Sequence, residues 1–363
     1  MPVRIRETLD TLPAYAPGRS VPGAIKLASN ELSYPTLPAI SDAIAAAVAD
    51  DTPTAATGIN RYPDNGANRL LEALAAHTGA PTSRLIAGCG SVALCQQIVQ
   101  AVAGEGDEVV FGWRSFEAYP IVTSITGAKP VQVPVTAGHG LDLDAMAEAV
   151  TSATRLIFVC TPNNPTGTTV TSSDLEAFID KVPEDTLVVV DEAYREFDTA
   201  PDSPDGAEIA QRRPNVLALR TLSKAYGLAG LRVGYAVGDE PVIGALRKVA
   251  IPFALNALAQ AAAIAALSQL EALQPRWQQV IAERARVTEA LRGNGFEVPD
   301  SQANFVWLPL AQAAADFSAH CEAQQVIVRA FSHANGGGAR VTIGARQEND
   351  QFLAAAATFR PAG

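Results

Sequence analysis

A chain of 363 residues is long for one domain, and the usual size of ~100–200 residues points to about two. With 48% hydrophobic and 18% charged residues it holds ample material for a core, which excludes disorder on a large scale. A net charge of -11 excludes the basic field that grips phosphate backbones, so nucleic acid is not an expected partner. The N-terminus, MPVRIRETLDTLPAY, carries charge but no apolar run, so it does not read as a secretory signal. Residues 1–38 are rich in proline and turn residues and are expected to form an arm. A helix fits Pro38–Asp50, with Ile40, Ile44 and Val48 on one face.

From about residue 68 to 240, short apolar runs alternate with helical patterns. Glu108–Phe111, Leu156–Cys160, Leu187–Val190 and Val216–Leu219 read as buried strands, and 68–77, 91–103, 142–150 and 172–180 as helices. That alternation predicts an α/β fold with a mostly parallel sheet covered on both faces. Active sites in such sheets gather at the carboxyl ends of the strands. From 256 to 292 the pattern is one of long helices. Its most apolar stretch, Ala254–Leu273, is interrupted by Asn256, Gln260, Ser268 and Gln269, and reads as buried rather than membrane-spanning. After Gly293, short strands are predicted at Phe296–Val298, Asn304–Leu308, Val326–Arg329 and Ala339–Ile343, a smaller α+β domain. The expected organisation is an arm over 1–38, a large domain over 39–255 and a small domain over 256–363.

Cys89, Cys95, Cys160 and Cys321 form no C-x-x-C pair, and the four histidines are scattered, so neither a disulfide framework nor a metal site is expected. A reduced, cytoplasmic setting follows.

Four segments carry chemistry. In LIAGCGSVALCQQIV, a strand, a glycine turn and a helix offer the N–H groups of Gly90, Ser91 and Val92 to a phosphate. In CTPNNPTGT, two prolines hold Asn164 rigidly after a strand. In LVVVDEAYREF, Asp191 ends an apolar run, and a buried carboxylate there needs a partner. A protonated pyridine nitrogen is one such partner, and Tyr194 offers its phenol nearby. In RTLSKAYGLAGLRVGY, Lys224 follows a strand beside Thr221, Ser223 and Arg232. A lysine so placed can form a Schiff base, the two hydroxyls can donate to a phosphate, and the arginine can pair with it bidentately. Read singly, each segment also fits a bland structural role.

Together these segments resemble fold-type I pyridoxal-phosphate (PLP) aminotransferases, near the histidinol-phosphate aminotransferase branch. The likeness extends over KLASNE (Lys26–Glu31), NRYPDN (Asn60–Asn65), PNNPTG (Pro162–Gly167), DEAY (Asp191–Tyr194), TLSKAYGLAGLRVGY (Thr221–Tyr235) and ANFVWL (Ala303–Leu308). It implies PLP as cofactor, with Lys224 as its Schiff-base lysine and proton shuttle. It implies Asp191 at the ring nitrogen, Asn164 and Tyr194 at the ring hydroxyl, and Phe116 stacked on the ring. Thr221, Ser223 and Arg232 match the phosphate set, and Arg340 the arginine that clamps the substrate carboxylate. Tyr62 matches a tyrosine that reaches the neighbouring subunit's cofactor, which implies a homodimer. Tyr15, Asn30 and Arg329 are the further substrate-binding residues that the likeness implies.

Two segments depart from the histidinol-phosphate pattern: NELSYPTLP (Asn30–Pro38) and GCGSVA (Gly88–Ala93). The second, with FGWRSFEAYP and SQANFVWLP, is similar to actinobacterial aromatic amino acid aminotransferases. The expected activity is therefore transamination of phenylalanine-type amino acids with the glutamate/2-oxoglutarate pair. Histidinol phosphate as donor, decarboxylation of an amino-acid phosphate, and a non-catalytic binding module are the other readings open to such a chain.

Overall fold

Runs such as LIFVC and LVVV have no polar face, so they are stable only as strands with helices on both sides. The computed structural model, which describes residues 3, 5, 6, 9, 12, 18–50, 58–331 and 337–360, places them that way. Strands β2 (Leu85–Gly88), β3 (Glu108–Trp113), β4 (Lys129–Pro134), β5 (Thr154–Cys160), β6 (Leu187–Asp191), β7 (Val216–Thr221) and β8 (Gly234–Val237) form one seven-stranded sheet in the order β2-β8-β7-β6-β5-β3-β4. All neighbours are parallel except at β8, which runs antiparallel to both β2 and β7.

The two-residue period of a strand divides each run between two cores. Val109, Phe111, Leu156, Phe158 and Val189 pack on one face, with Leu94 and Ile98 of helix α3 (Gly90–Val102) and Ile243 and Leu246 of helix α8 (Glu240–Val249). Val110, Ile157, Val159, Val188 and Val190 pack on the other. There they meet Met146 of α5 (Leu143–Glu148), Leu175 and Phe178 of α6 (Ser172–Ile179) and Ile209 of α7 (Gly206–Arg212). The carboxyl ends of β5, β6 and β7 lie side by side, because Cys160 pairs with Asp191 and Asp191 with Leu219.

A second sheet holds β1 (Ile25–Leu27), β9 (Phe305–Leu308), β10 (Val326–Phe331) and β11 (Gly338–Thr342) in the order β1-β10-β11-β9. Helices α11 (Ala314–Ala323) and α12 (Arg346–Thr358) back it, burying Phe317 and Phe352. Two local expectations change. Ile25–Leu27, inside the segment read as a loose arm, runs parallel to β10 as an edge strand, with Lys26 in register with Ile327. Phe296–Val298 is not a strand. Gly295 ends helix α10 (Leu270–Gly293) at φ +86°, and Phe296 then packs edge-on against Phe317 at 5.8 Å. Its apolar character serves packing rather than strand pairing. Among the described residues no helix is long and apolar enough to cross a membrane.

Helix α10 ties the two sheets together through polar contacts inside the core. Trp277 Nε1 donates to the carbonyl of Ala225 at 2.7 Å. Arg284, 6% exposed, donates from Nη1 to the carbonyls of Phe197 and Ala303, each at 2.9 Å. Burial lowers its guanidinium to about 10. Arg284→Met should leave both carbonyls dry and unpaired, at a cost of about 2–4 kcal/mol. Urea unfolding of the variant checks this, and a loss below about 0.5 kcal/mol would show that other donors or water satisfy these carbonyls.

Candidate active site

The carboxyl ends of β5, β6 and β7 open into a cleft of about 390 Å³, and residues of β10, β11 and the segment after β1 close its far wall. The structure brings Asn30, Ser91, Val92, Phe116, Asn164, Asp191, Tyr194, Thr221, Ser223, Lys224, Arg232, Arg329 and Arg340 to its lining.

Lys224 stands three residues past the end of β7, partly buried, and its Nζ donates to the carbonyl of Ser29 at 3.1 Å. Burial, aided by the nearby Arg340 and Arg232 guanidiniums, lowers its amine to about 7. A neutral amine, the nucleophilic form, is therefore abundant near neutrality.

An anion cradle lies beside it. Arg232 adopts a left-handed backbone, φ +60°, and its Nη1 donates to Ser223 Oγ at 3.1 Å. Ser223 thus keeps its own hydroxyl proton to donate. Thr221 spends its proton on the carbonyl of Val233 at 3.2 Å and accepts from the Ser223 N–H at 3.1 Å, so in this arrangement it braces the loop. Ser91 and Val92 open helix α3, whose dipole favours an anion. Gly90 lies just behind, at φ +79°, where a side chain would strike the Arg232 guanidinium.

Asp191 ends β6 and is 3% exposed. Its Oδ2 accepts from the Tyr119 hydroxyl at 2.7 Å, while Oδ1 is buried without a partner. Burial raises the carboxyl to about 6, and the Tyr119 hydrogen bond works against that rise. A buried carboxylate with one empty oxygen suits a cationic N–H donor, as a protonated pyridine provides. Phe116 lines the same region, edge-on to Tyr119 at 5.5 Å. Tyr119 is itself stacked on Phe158 at 4.3 Å and was not singled out in the sequence; its place three residues after Phe116 is the only signal there.

On the far wall, Arg340 of β11 donates from Nη1 to Asn164 Oδ1 and from Nη2 to the carbonyl of Ala28 at 2.8 Å. Tyr194 accepts from Asn30 Nδ2 at 2.9 Å, and burial pushes its phenol up. Asn30, at φ +55°, also donates its N–H to Thr342 Oγ1 at 2.9 Å and accepts that hydroxyl's proton at 3.2 Å. Arg329 donates to Glu117 Oε2 at 3.1 Å. Ser29, Glu117 and Tyr119 are site residues that the sequence reading did not name.

Three expected residues are not in this lining: Gly90, which lies behind Ser91 and Val92, Tyr62 and Tyr15. Tyr62 is 77% exposed and stacks on Phe253 at 4.5 Å, away from the cleft. Tyr15 falls outside the described residues. Cys160 does line the cleft, but burial pushes its thiol up to about 12, which removes it as a nucleophile near neutrality. Among the described residues no cluster of His, Cys, Asp and Glu could hold a metal ion.

Comparison with known proteins gives this geometry its relatives. The family model for aminotransferase class I and II matches residues 22–356. An aromatic amino acid aminotransferase of Rhodococcus jostii (strain RHA1) is 55% identical over 354 residues, 98% of this chain and 95% of that protein. One of Streptomyces avermitilis is 51% identical over 361 residues, 98% of each chain. Among solved structures, histidinol-phosphate aminotransferase from Sinorhizobium meliloti, in complex with pyridoxal-5'-phosphate, superposes with a TM-score of 0.87 at 28% identity, over 98% of this chain and 96% of that one.

The depressed amine gives a direct test. In cofactor-free protein, labelling of Lys224 by an acylating reagent should rise through a midpoint near pH 7, because only the neutral amine reacts. An ordinary exposed lysine titrates near about 10.4. Competitive labelling read by peptide mass mapping measures both, and an ordinary midpoint for Lys224 would contradict its desolvation.

Proposed function

Because the chain belongs to the class I and II aminotransferases, we propose that its cleft exchanges the amino group of an aromatic amino acid, phenylalanine above all, with the glutamate/2-oxoglutarate pair. The observation that carries the substrate is the identity of 51–55% with aromatic amino acid aminotransferases along 95–98% of their length. The donor set supports the cofactor. Pyridoxal phosphate, when bound, supplies an aldehyde that takes up the amino group and a ring that withdraws electrons from the substrate Cα.

In this reading Lys224 holds the aldehyde and later moves the proton at the substrate Cα. Asp191 keeps the ring nitrogen protonated through its empty Oδ1, and Tyr119 fixes the other oxygen. Asn164 and Tyr194 orient the ring oxygen, and Phe116 covers the ring face. Ser223, Arg232 and the first N–H groups of α3 hold the phosphate, with Thr221 bracing their loop. Arg340 takes the substrate carboxylate, and the rings of Phe305 and Phe331, each 5.5 Å from its guanidinium, keep that contact dry. Asn30 holds Tyr194 in place.

Tyr62 enters through a second subunit. Ile59, Tyr62, Ile251 and Phe253 are all exposed, and apolar side chains of this size are left exposed together where another protein surface covers them. The reading is a homodimer with Tyr62 reaching the partner's cofactor phosphate. The four unpaired cysteines suit a reducing cytoplasm. Light scattering should give twice the 37.9 kDa of the chain, and a fully active monomer would remove this role from Tyr62.

Histidinol phosphate is the second reading, favoured by the Sinorhizobium meliloti fold match and by an arginine, Arg329, on the cleft wall. The deciding measurement is kcat/KM for phenylalanine and for histidinol phosphate, each with 2-oxoglutarate. Phenylalanine should win by about a hundredfold, the effect of roughly 3 kcal/mol of phosphate desolvation. A tenfold preference for histidinol phosphate would reverse the assignment. Lys224→Ala should lower turnover with either donor by about 10²–10⁴.

A further inference from the structure

Asn30 is buried where the segment after β1 reaches the cleft, and each of its four polar atoms has a partner. Its N–H and its Oδ1 both meet Thr342 Oγ1 on β11, at 2.9 and 3.2 Å. Its carbonyl accepts from Asn304 Nδ2 at 3.1 Å, and its own Nδ2 donates to the Tyr194 hydroxyl at 2.9 Å. Asn30, Asn304, Thr342 and Tyr194 are each at most 3% exposed, so water does not compete for these bonds. The order of donors follows from Thr342. Its oxygen accepts the Asn30 N–H, which leaves its one proton for Asn30 Oδ1. With Oδ1 so held, the amide presents Nδ2 to Tyr194. The Tyr194 oxygen is therefore the acceptor, and the phenol keeps its proton. Among the described residues no hydrogen bond takes up that proton, and Tyr194 lines the cleft. An amide turned over would present Oδ1 to the phenol and draw the proton away from the cleft.

We propose that Thr342 is a positioning residue: through Asn30, its hydroxyl sets the direction of the hydrogen bond at Tyr194, so that the phenol donates into the cleft. This rests on the reading that Tyr194 orients the ring oxygen of PLP, and it gives the small sheet a part in tuning that contact. Arg340 stands two residues before Thr342 on β11, so the strand that offers the carboxylate clamp also holds the amide. A phenol whose oxygen accepts a buried N–H is a stronger donor. Stronger donation to the ring oxygen weakens the hold of that oxygen on the neighbouring proton, the one on the nitrogen that joins Lys224 to the cofactor. That proton then leaves at lower pH, and loss of the Thr342 hydroxyl should raise the midpoint. The charged and titratable groups around the phenol, Arg340, Cys160 and Asp191, are unchanged in every variant of the test.

The test titrates PLP-loaded enzyme by its visible absorbance, which follows that proton and not turnover. Tyr194→Phe should raise the midpoint by about 1–2 pH units, the effect of losing one hydrogen bond to a charged oxygen. Thr342→Val keeps the shape and drops the hydroxyl, and should raise it by about 0.5–1 unit. Thr342→Ser keeps the hydroxyl and should move it by under about 0.2 unit. In the Tyr194→Phe background, Thr342→Val should add under about 0.2 unit, because its route to the cofactor is gone. Asn30→Gly adopts φ +55° without strain and should raise the midpoint at least as far as Thr342→Val, for which it stands in if that variant does not fold. An unmoved midpoint in Thr342→Val or its stand-in, an equal shift in Thr342→Ser, or a shift of the same size in both backgrounds overturns the proposal and leaves Thr342 a structural residue. An unmoved midpoint in Tyr194→Phe would instead remove Tyr194 from the ring oxygen, and the proposal with it.

Discussion

One carboxylate oxygen governs the site. Asp191 Oδ1 is buried at the mouth of the large sheet without a hydrogen-bond partner, and a charge in that position is costly until a donor arrives. The protein meets part of the cost itself through the Ala193 N–H and Tyr119, whose ring is locked between Phe158 and the edge of Phe116. The rest is left for a ligand at Oδ1. An oxygen held dry and rigid binds a cationic N–H more strongly than a solvated one would, and needs no reorganisation to do so. Such an oxygen can exist only because helices cover both faces of the sheet and keep water from the strand end.

Lys224 is the complement of Asp191. Burial favours the uncharged form of both, pulling the amine down to about 7 and pushing the carboxyl up to about 6. The two shifts have the same cause and opposite chemical use. A neutral amine is a nucleophile and a base, whereas the carboxyl must remain an acceptor, and the Tyr119 hydroxyl and the Ala193 N–H hold it toward the ionised form. The Arg340 and Arg232 guanidiniums add to the depression of the lysine.

The far wall comes from a different sheet. Arg329 and Arg340 depend on the pairing of β10 with β11, and Lys224 touches the carbonyl of Ser29 only because β1 delivers the N-terminal segment to the same place. Helix α10 then fixes one sheet against the other through Arg284 and Trp277. The site is therefore a junction between the strand ends of the large sheet and side chains of the small one.

The sequence by itself determined the large sheet and the reactive groups. Continuously apolar runs have only one stable environment, a strand covered on both faces, and the strand ends they imply put Asp191, Asn164 and the Lys224 segment on one rim. The motif order was specific enough to identify the family, which the comparisons bear out. Only the tertiary structure decided the rest. Tyr119 lies 72 residues from Asp191, Ser29 lies 195 from Lys224, and Glu117 lies 212 from Arg329, and nothing local in any of these segments names its partner. Ile25–Leu27 is too short to announce a strand, and it becomes one because β10 offers it an unpaired edge. Phe296–Val298 announces a strand and is not one, because apolarity records burial and not the partner against which a residue is buried. A local pattern encodes which groups must leave water, whereas long-range packing decides which of them meet.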